Sequence, residues 1–82
     1  MGKLPSVTGD KLLKALLKDG FVVLRQKGSH VIVAKKTEQG ELVFPVPVHK
    51  GKDIKAGTLR GILELAKISR ERFKQLLTLI II

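Results

Sequence analysis

A Gly28-Ser29 pair lies between two runs of strand-forming residues, and it limits the folds open to this chain. Residues Phe21 to Lys27 precede the pair and His30 to Lys36 follow it. β-Branched and apolar residues favour strands, and a Gly-Ser pair suits the two-residue turn of a hairpin. The segment therefore predicts an antiparallel hairpin in which Lys27 and His30 lie opposite each other.

Alternation along the second run divides its side chains between two faces. One face carries His30, Ile32, Ala34 and Lys36, and the other carries Val31, Val33 and Lys35. A polar loop at residues 37–41 leads to a third predicted strand, Leu42 to Val48. Because Pro45 and Pro47 cannot donate to a ladder, this strand should lie at an edge or pair on one side only.

Helical periodicity flanks the strands on both sides. Thr8 can cap a first helix, its leucines repeat at helical spacing, and Gly20 supplies a left-handed stop, which predicts a helix over residues 9–19. Gly57 or Thr58 should cap a second helix with an apolar stripe formed by Leu59, Ile62, Leu63 and Ala66. Ser69 should cap a third helix with an inner side formed by Phe73, Leu76, Leu77 and Ile80.

The predicted fold class is therefore α+β, in the order α-β-β-β-α-α, with helices packed on one face of a three-stranded antiparallel sheet. A chain of 82 residues cannot build two hydrophobic cores, so we expect a single domain over residues 1–82. The chain lacks cysteine, which favours a reducing cytoplasm over a secreted location. No apolar run is longer than that at Leu79 to Ile82, which is far too short to cross a membrane.

Charge points to a polyanionic partner. Sixteen Lys and Arg against seven Asp and Glu give a formal net charge of +9. Such a field favours RNA or DNA, although an anionic membrane surface or an acidic protein would also suit it. Lys50, Lys52, Lys55 and Arg60 surround the start of the second helix, where exposed N–H groups also attract phosphate.

Few residues of this chain suit catalysis. None of the seven carboxylates has the spacing of a metal cluster or an acid–base pair, so no metal or cofactor is expected. His30 and His49 remain, and histidine is the side chain that exchanges protons most readily near neutral pH. His30 follows the turn opposite Lys27 and is near Arg25 and Lys35 or Lys36 in sequence, so it has the surroundings of a ribonuclease base. The competing interpretation is a polar residue at the end of a strand.

Five short motifs then occur in order along most of the chain: Gly20-Phe21, Gln26 to His30, Pro45 to His49, Ala56 to Leu63, and Ile68-Ser69. In these motifs the chain resembles the HicA toxin family, also called YcfA-like proteins. The resemblance implies a fold like that of a double-stranded-RNA-binding domain. It also implies the toxin component of a toxin–antitoxin pair, an endoribonuclease that cleaves mRNA until a HicB antitoxin covers its site.

The family's catalytic histidine falls on His30, with Gly28 and Ser29 intact. His49 is not carried over as catalytic, and we expect it to be an RNA contact or a loop anchor. The predicted substrate-binding residues are Lys27, Gly28, Ser29, Lys35, Lys36, Lys50, Lys52, Lys55 and Arg60. Two alternatives are a non-catalytic module that binds duplex RNA and an inactive toxin that retains only antitoxin binding. The apolar C-terminus departs from the family pattern, and core packing is favoured there over a dimer or antitoxin contact.

Overall fold

The computed structural model describes residues 4–81, and for residue 81 the backbone alone. Its elements are α1 (Gly9–Lys18), β1 (Val22–Lys27), β2 (His30–Thr37), β3 (Gly40–Pro47), α2 (Ala56–Ala66) and α3 (Arg70–Ile81). The predicted fold class and element order are confirmed, including the likeness to a double-stranded-RNA-binding domain. Among the helices of this part of the chain, none has both the length and the apolar character needed to cross a membrane.

The three strands form an antiparallel sheet in the order β1-β2-β3, so β3 lies at an edge, as its prolines predict. The inner face of the sheet presents the buried side chains of Val31, Val33, Phe44 and Val46 to the core. The helices complete this core from the same side, mainly through Leu12, Leu16, Leu59, Ile62, Leu63, Phe73 and Leu76. The helical stripes therefore face inward as their spacing predicts.

The opposite face of the sheet, here called the outer face, is arranged in cross-strand rows. The apolar row is Val22, Ala34 and Val43; the middle row is Arg25, Ile32 and Pro45; the histidine row is Lys27, His30 and Pro47. A bulge at Leu24 places Val22 on the same face as Arg25 and Lys27, because it inserts one extra residue into β1. All six residues of β1 are exposed.

Two of the three predicted helix caps are confirmed. The Thr8 side chain accepts a hydrogen bond from the Lys11 N–H, and Ser69 Oγ accepts one from the Arg72 N–H. The prediction of Gly57 or Thr58 as the cap of α2 is wrong, because the helix begins at Ala56 and Lys55 is its N-cap. A backbone hydrogen bond of 2.9 Å from Ile54 N–H to Val7 C=O fixes the chain just before the helix, so tertiary pairing sets this boundary.

The C-terminal residues divide between core and surface. Ile80 packs against the core, as predicted, whereas Leu79 is 47% exposed. Ile82 lies outside the described residues, and so does the side chain of Ile81. Core packing is thus confirmed at Ile80 and wrong at Leu79.

Gly9 lets α1 approach the end of β3. A Cβ atom at this position would collide with the Pro47 carbonyl oxygen and lie 2.8 Å from the Val48 Cα. Both obstacles are backbone atoms, which cannot move aside as a side chain can. Gly9 therefore fixes the distance between α1 and the strand that carries Pro47 in the histidine row.

Replacing Gly9 with Ala should destabilise the fold by about 1–3 kcal/mol, because the added methyl group overpacks the contact with Pro47 and Val48. Thermal or urea unfolding measures this loss. The matched control is Gly61→Ala in α2, where an added Cβ meets nothing within 4 Å. That control should gain roughly 0.5–1 kcal/mol from helix propensity. Equal changes in the two variants would contradict the close approach at Gly9.

Candidate active site

The hairpin tip presents His30 to solvent. Gly28 has a φ of +60° and Ser29 keeps a negative φ, a combination found in type II′ turns, whose first central residue is glycine. The Gln26 side-chain amide donates a hydrogen bond of 3.1 Å to the Gly28 carbonyl and steadies the turn. The turn confirms the predicted register, in which Lys27 lies directly opposite His30.

The His30 imidazole is exposed and free of protein partners: within residues 4–81, no hydrogen bond or ion pair holds it. Its cross-strand neighbours are Lys27 and Pro47, which contribute a cation and a rigid apolar ring. The nearest acidic side chain on the outer face of β3 is Glu41, six residues before Pro47 along the strand. The side chain is thus accessible to a ligand and has one cation, Lys27, directly across the strand pair.

A second group of cations lies next to the histidine row. Pro47 lines a depression of about 250 Å³ together with His49, Lys52, Asp53, Ile54, Lys55 and Thr58, so one carboxylate lies among its cations. The Val48 N–H donates a 2.7 Å hydrogen bond to the Ser29 carbonyl, which holds the end of β3 against the hairpin tip. The structure therefore brings the predicted residues around His30 and those around the start of α2 to one end of the sheet.

The start of α2 adds a fixed positive potential to this end. Lys55 is the N-cap and makes no side-chain cap hydrogen bond, and the first turn contains no acidic residue. The first N–H groups of a helix have no intrahelical acceptor, and the helix dipole is positive there. Phosphate oxygens are the ligands that such groups accept most readily.

Three of the predicted substrate-binding residues lie elsewhere. Lys35 is on the inner face, where its Nζ is 3.0 Å from Asp19 Oδ2 and 5.5 Å from the centre of the Phe21 ring. Lys36 is on the outer face but beyond the apolar row, opposite Glu41. Arg60 lines a separate groove beside Leu59 and Leu63.

Arg25 is a cation that the predicted set omits. It is exposed and belongs to the middle row, adjacent to the histidine row. Arg25 and Lys27 stand two residues apart on one strand, a spacing that already places both side chains on the same face. This signal was present in the sequence.

A protein-family model described as the HicA toxin of bacterial toxin–antitoxin systems matches residues 9–68, well over half of the chain. This chain belongs to the HicA toxin family. The matched segment of this HicA toxin runs from the first residue of α1 to Ile68 and contains the hairpin tip, the histidine row and all of α2. No curated protein sequence gives a significant match.

Membership identifies the chain as a toxin of the kind that pairs with an antitoxin. The comparison covers the region in which the exposed histidine and its cations lie, whereas all of α3 falls beyond it. The residues at the hairpin tip are therefore candidates for the toxic activity itself.

Proposed function

We propose that this HicA toxin is a metal-independent endoribonuclease that cleaves mRNA, with His30 as its catalytic base. The observation that carries the proposal is the exposed, unpartnered His30 with Lys27 directly across the strand pair. A base that must reach a substrate hydroxyl needs accessibility, and a cation beside it favours the charge that grows on phosphate.

In the proposed reaction the neutral His30 imidazole removes the proton from a ribose 2′-hydroxyl. The 2′-oxygen then forms a bond to the adjacent phosphorus, and the bond from phosphorus to the 5′-oxygen of the next nucleotide breaks. The imidazolium returns its proton to this leaving oxygen, which restores the neutral base. The products are a 2′,3′-cyclic phosphate and a 5′-hydroxyl.

The remaining residues at this end of the sheet would position the substrate. Lys27, Lys50, Lys52 and Lys55 supply charge for the phosphate backbone, and His49 lies among them. Gly28 and Ser29 allow the backbone of the turn to approach a nucleotide closely. Lys36 and Arg60 would contact a longer RNA beyond the site, whereas Lys35 is omitted from the set because it is paired with Asp19.

Stacking is a poor means of recognition for this surface. The chain has no Trp or Tyr, and its three phenylalanines, Phe21, Phe44 and Phe73, are buried. Binding would therefore depend on the RNA backbone and its shape rather than on base stacking. We further propose that the antitoxin is of the HicB type and that the toxin acts in the cytoplasm, where its mRNA substrate is translated.

Incubation of the purified protein with mRNA in EDTA tests the function directly. We expect cleavage to continue without divalent metal and to leave 2′,3′-cyclic phosphate ends. Mass spectrometry of a short RNA substrate identifies these ends. Intact RNA would contradict the proposal, and salt-sensitive binding to duplex RNA without cleavage would instead support a non-catalytic binding module.

A further inference from the structure

The outer face carries apolar surface that the fold leaves uncovered. In the apolar row, Val22 is 57% exposed and Val43 is 47% exposed. Ala34 lies between them and is only 2% exposed, although it is outside the core cluster. Leu24, at the bulge, is 48% exposed on the same strand as Val22. Clustered apolar side chains of this kind mark interaction surfaces.

Charged residues flank the apolar row on both sides: Lys36 and Glu41, opposite each other, lie beyond it on one side, and the rows that lead to the hairpin tip lie on the other. The apolar row is followed by the middle row, which contains Arg25, and then by the histidine row, which contains Lys27. Ala34 and His30 are four residues apart on β2, a distance of about 13 Å at the usual rise of a strand. A protein that covers the apolar row thus also reaches the cations beside His30.

A second copy of the chain fits this surface poorly. Antiparallel pairing of two β1 edges about a twofold axis would place Val22 of one copy against Lys27 of the other, since β1 is apolar at its start and basic at its end. The two copies would also bring together net charges of +9 each. RNA fits the apolar row no better, because a phosphate backbone offers it no apolar partner.

We infer that the outer face is the docking surface for the antitoxin of this system, and that the contacting antitoxin surface joins an apolar patch to acidic side chains. The apolar patch covers Val22 and Val43, and the acidic side chains face Arg25 and Lys27. The inference rests on the toxin–antitoxin pairing of the family and deepens the proposed function. The apolar row then helps to determine how the antitoxin neutralises the toxin, and it takes no part in the proposed cleavage reaction.

Binding of the co-encoded antitoxin to purified toxin variants tests the inference. Val43→Lys should raise the dissociation constant at least tenfold while it leaves mRNA cleavage within about twofold of the wild type. Leu65→Lys is the matched control, because Leu65 is 57% exposed on α2 and its substitution adds the same charge. The control should bind the antitoxin like the wild type. Circular dichroism reports whether Val43→Lys is folded. If it is not, Val22→Lys tests the same row independently.

A second pair of variants tests the acidic character of the partner. Arg25→Glu should weaken antitoxin binding at least tenfold, whereas Lys74→Glu, the same charge change at an exposed position of α3, should not. Wild-type affinity for the antitoxin in both Val43→Lys and Arg25→Glu would overturn the inference. Equal losses of affinity in one of these variants and in its control would overturn it as well. Failure of the proposed function has a different signature: RNA stays intact with every variant while the antitoxin still distinguishes Val43→Lys from Leu65→Lys.

Discussion

His30→Ala should lower the rate of mRNA cleavage by about 10²–10⁴-fold, the usual contribution of a general base. The loss should fall on the rate rather than on RNA affinity, because the cations around the hairpin tip remain in the variant. Single-turnover cleavage of a labelled RNA, together with a binding measurement on a substrate that carries 2′-deoxyribose at the scissile position, separates the two quantities.

His49→Ala is the matched control for this variant. His49 is exposed and lies near the same end of the sheet, but it follows β3 rather than the hairpin turn. We expect its loss to change cleavage by less than about tenfold, through RNA binding alone. Equal cleavage rates for the wild type and His30→Ala would show that His30 is not the catalytic base. A larger loss of cleavage rate in His49→Ala than in His30→Ala would instead assign the base to His49.

Asp19→Ala should destabilise the protein by about 2–3 kcal/mol, with a fall in Tm of roughly 10–20 °C. The Asp19 side chain is 9% exposed and bridges Lys35, at 3.0 Å, and Arg72 Nε, at 3.1 Å. This one carboxylate joins the end of α1 to β2 and α3. Its removal leaves the half-buried Lys35 ammonium without a counter-ion, and the partial exposure of both cations keeps the loss below that of a fully buried pair.

Asp10→Ala is the comparison variant for Asp19→Ala. The Asp10 carboxylate is 66% exposed and lies 3.5 Å from Lys14 Nζ, one helical turn away on α1. An exposed pair of this kind contributes less than about 1 kcal/mol. Chemical denaturation of the two variants should therefore differ clearly, and similar losses would show that the Asp19 bridge adds no more than a surface ion pair.

Local sequence signals predicted the elements well because their determinants are local. Thr8 caps α1, the Gly28-Ser29 turn sets the hairpin register, and the apolar stripes of the helices face the core. The start of α2 could not be predicted in the same way. Its position depends on the pairing of Ile54 with Val7, nearly fifty residues away in the chain.

In the candidate site, too, features set by neighbouring residues were predictable, and features set by distant residues were not. The register that places Lys27 opposite His30 follows from the turn, and the alternation of β2 already separates Lys35 from His30. No local pattern indicates that Lys35 is engaged by Asp19, sixteen residues earlier. The face of the sheet on which Val22 lies could not be predicted either, because a single extra residue in β1 reverses the alternation of side chains between the two faces.

The prolines of β3 limit how copies of this toxin can assemble. Since the Val48 N–H points toward β2, the alternating N–H positions at residues 43, 45 and 47 point away from the sheet, and two of these are Pro45 and Pro47. An incoming strand finds too few donors at this edge, so intermolecular strand addition is confined to β1. Fibre growth needs two receptive edges on every molecule. A sheet with only one receptive edge cannot extend into a fibre by repeated strand addition, so the prolines of β3 act against polymerisation of the folded toxin.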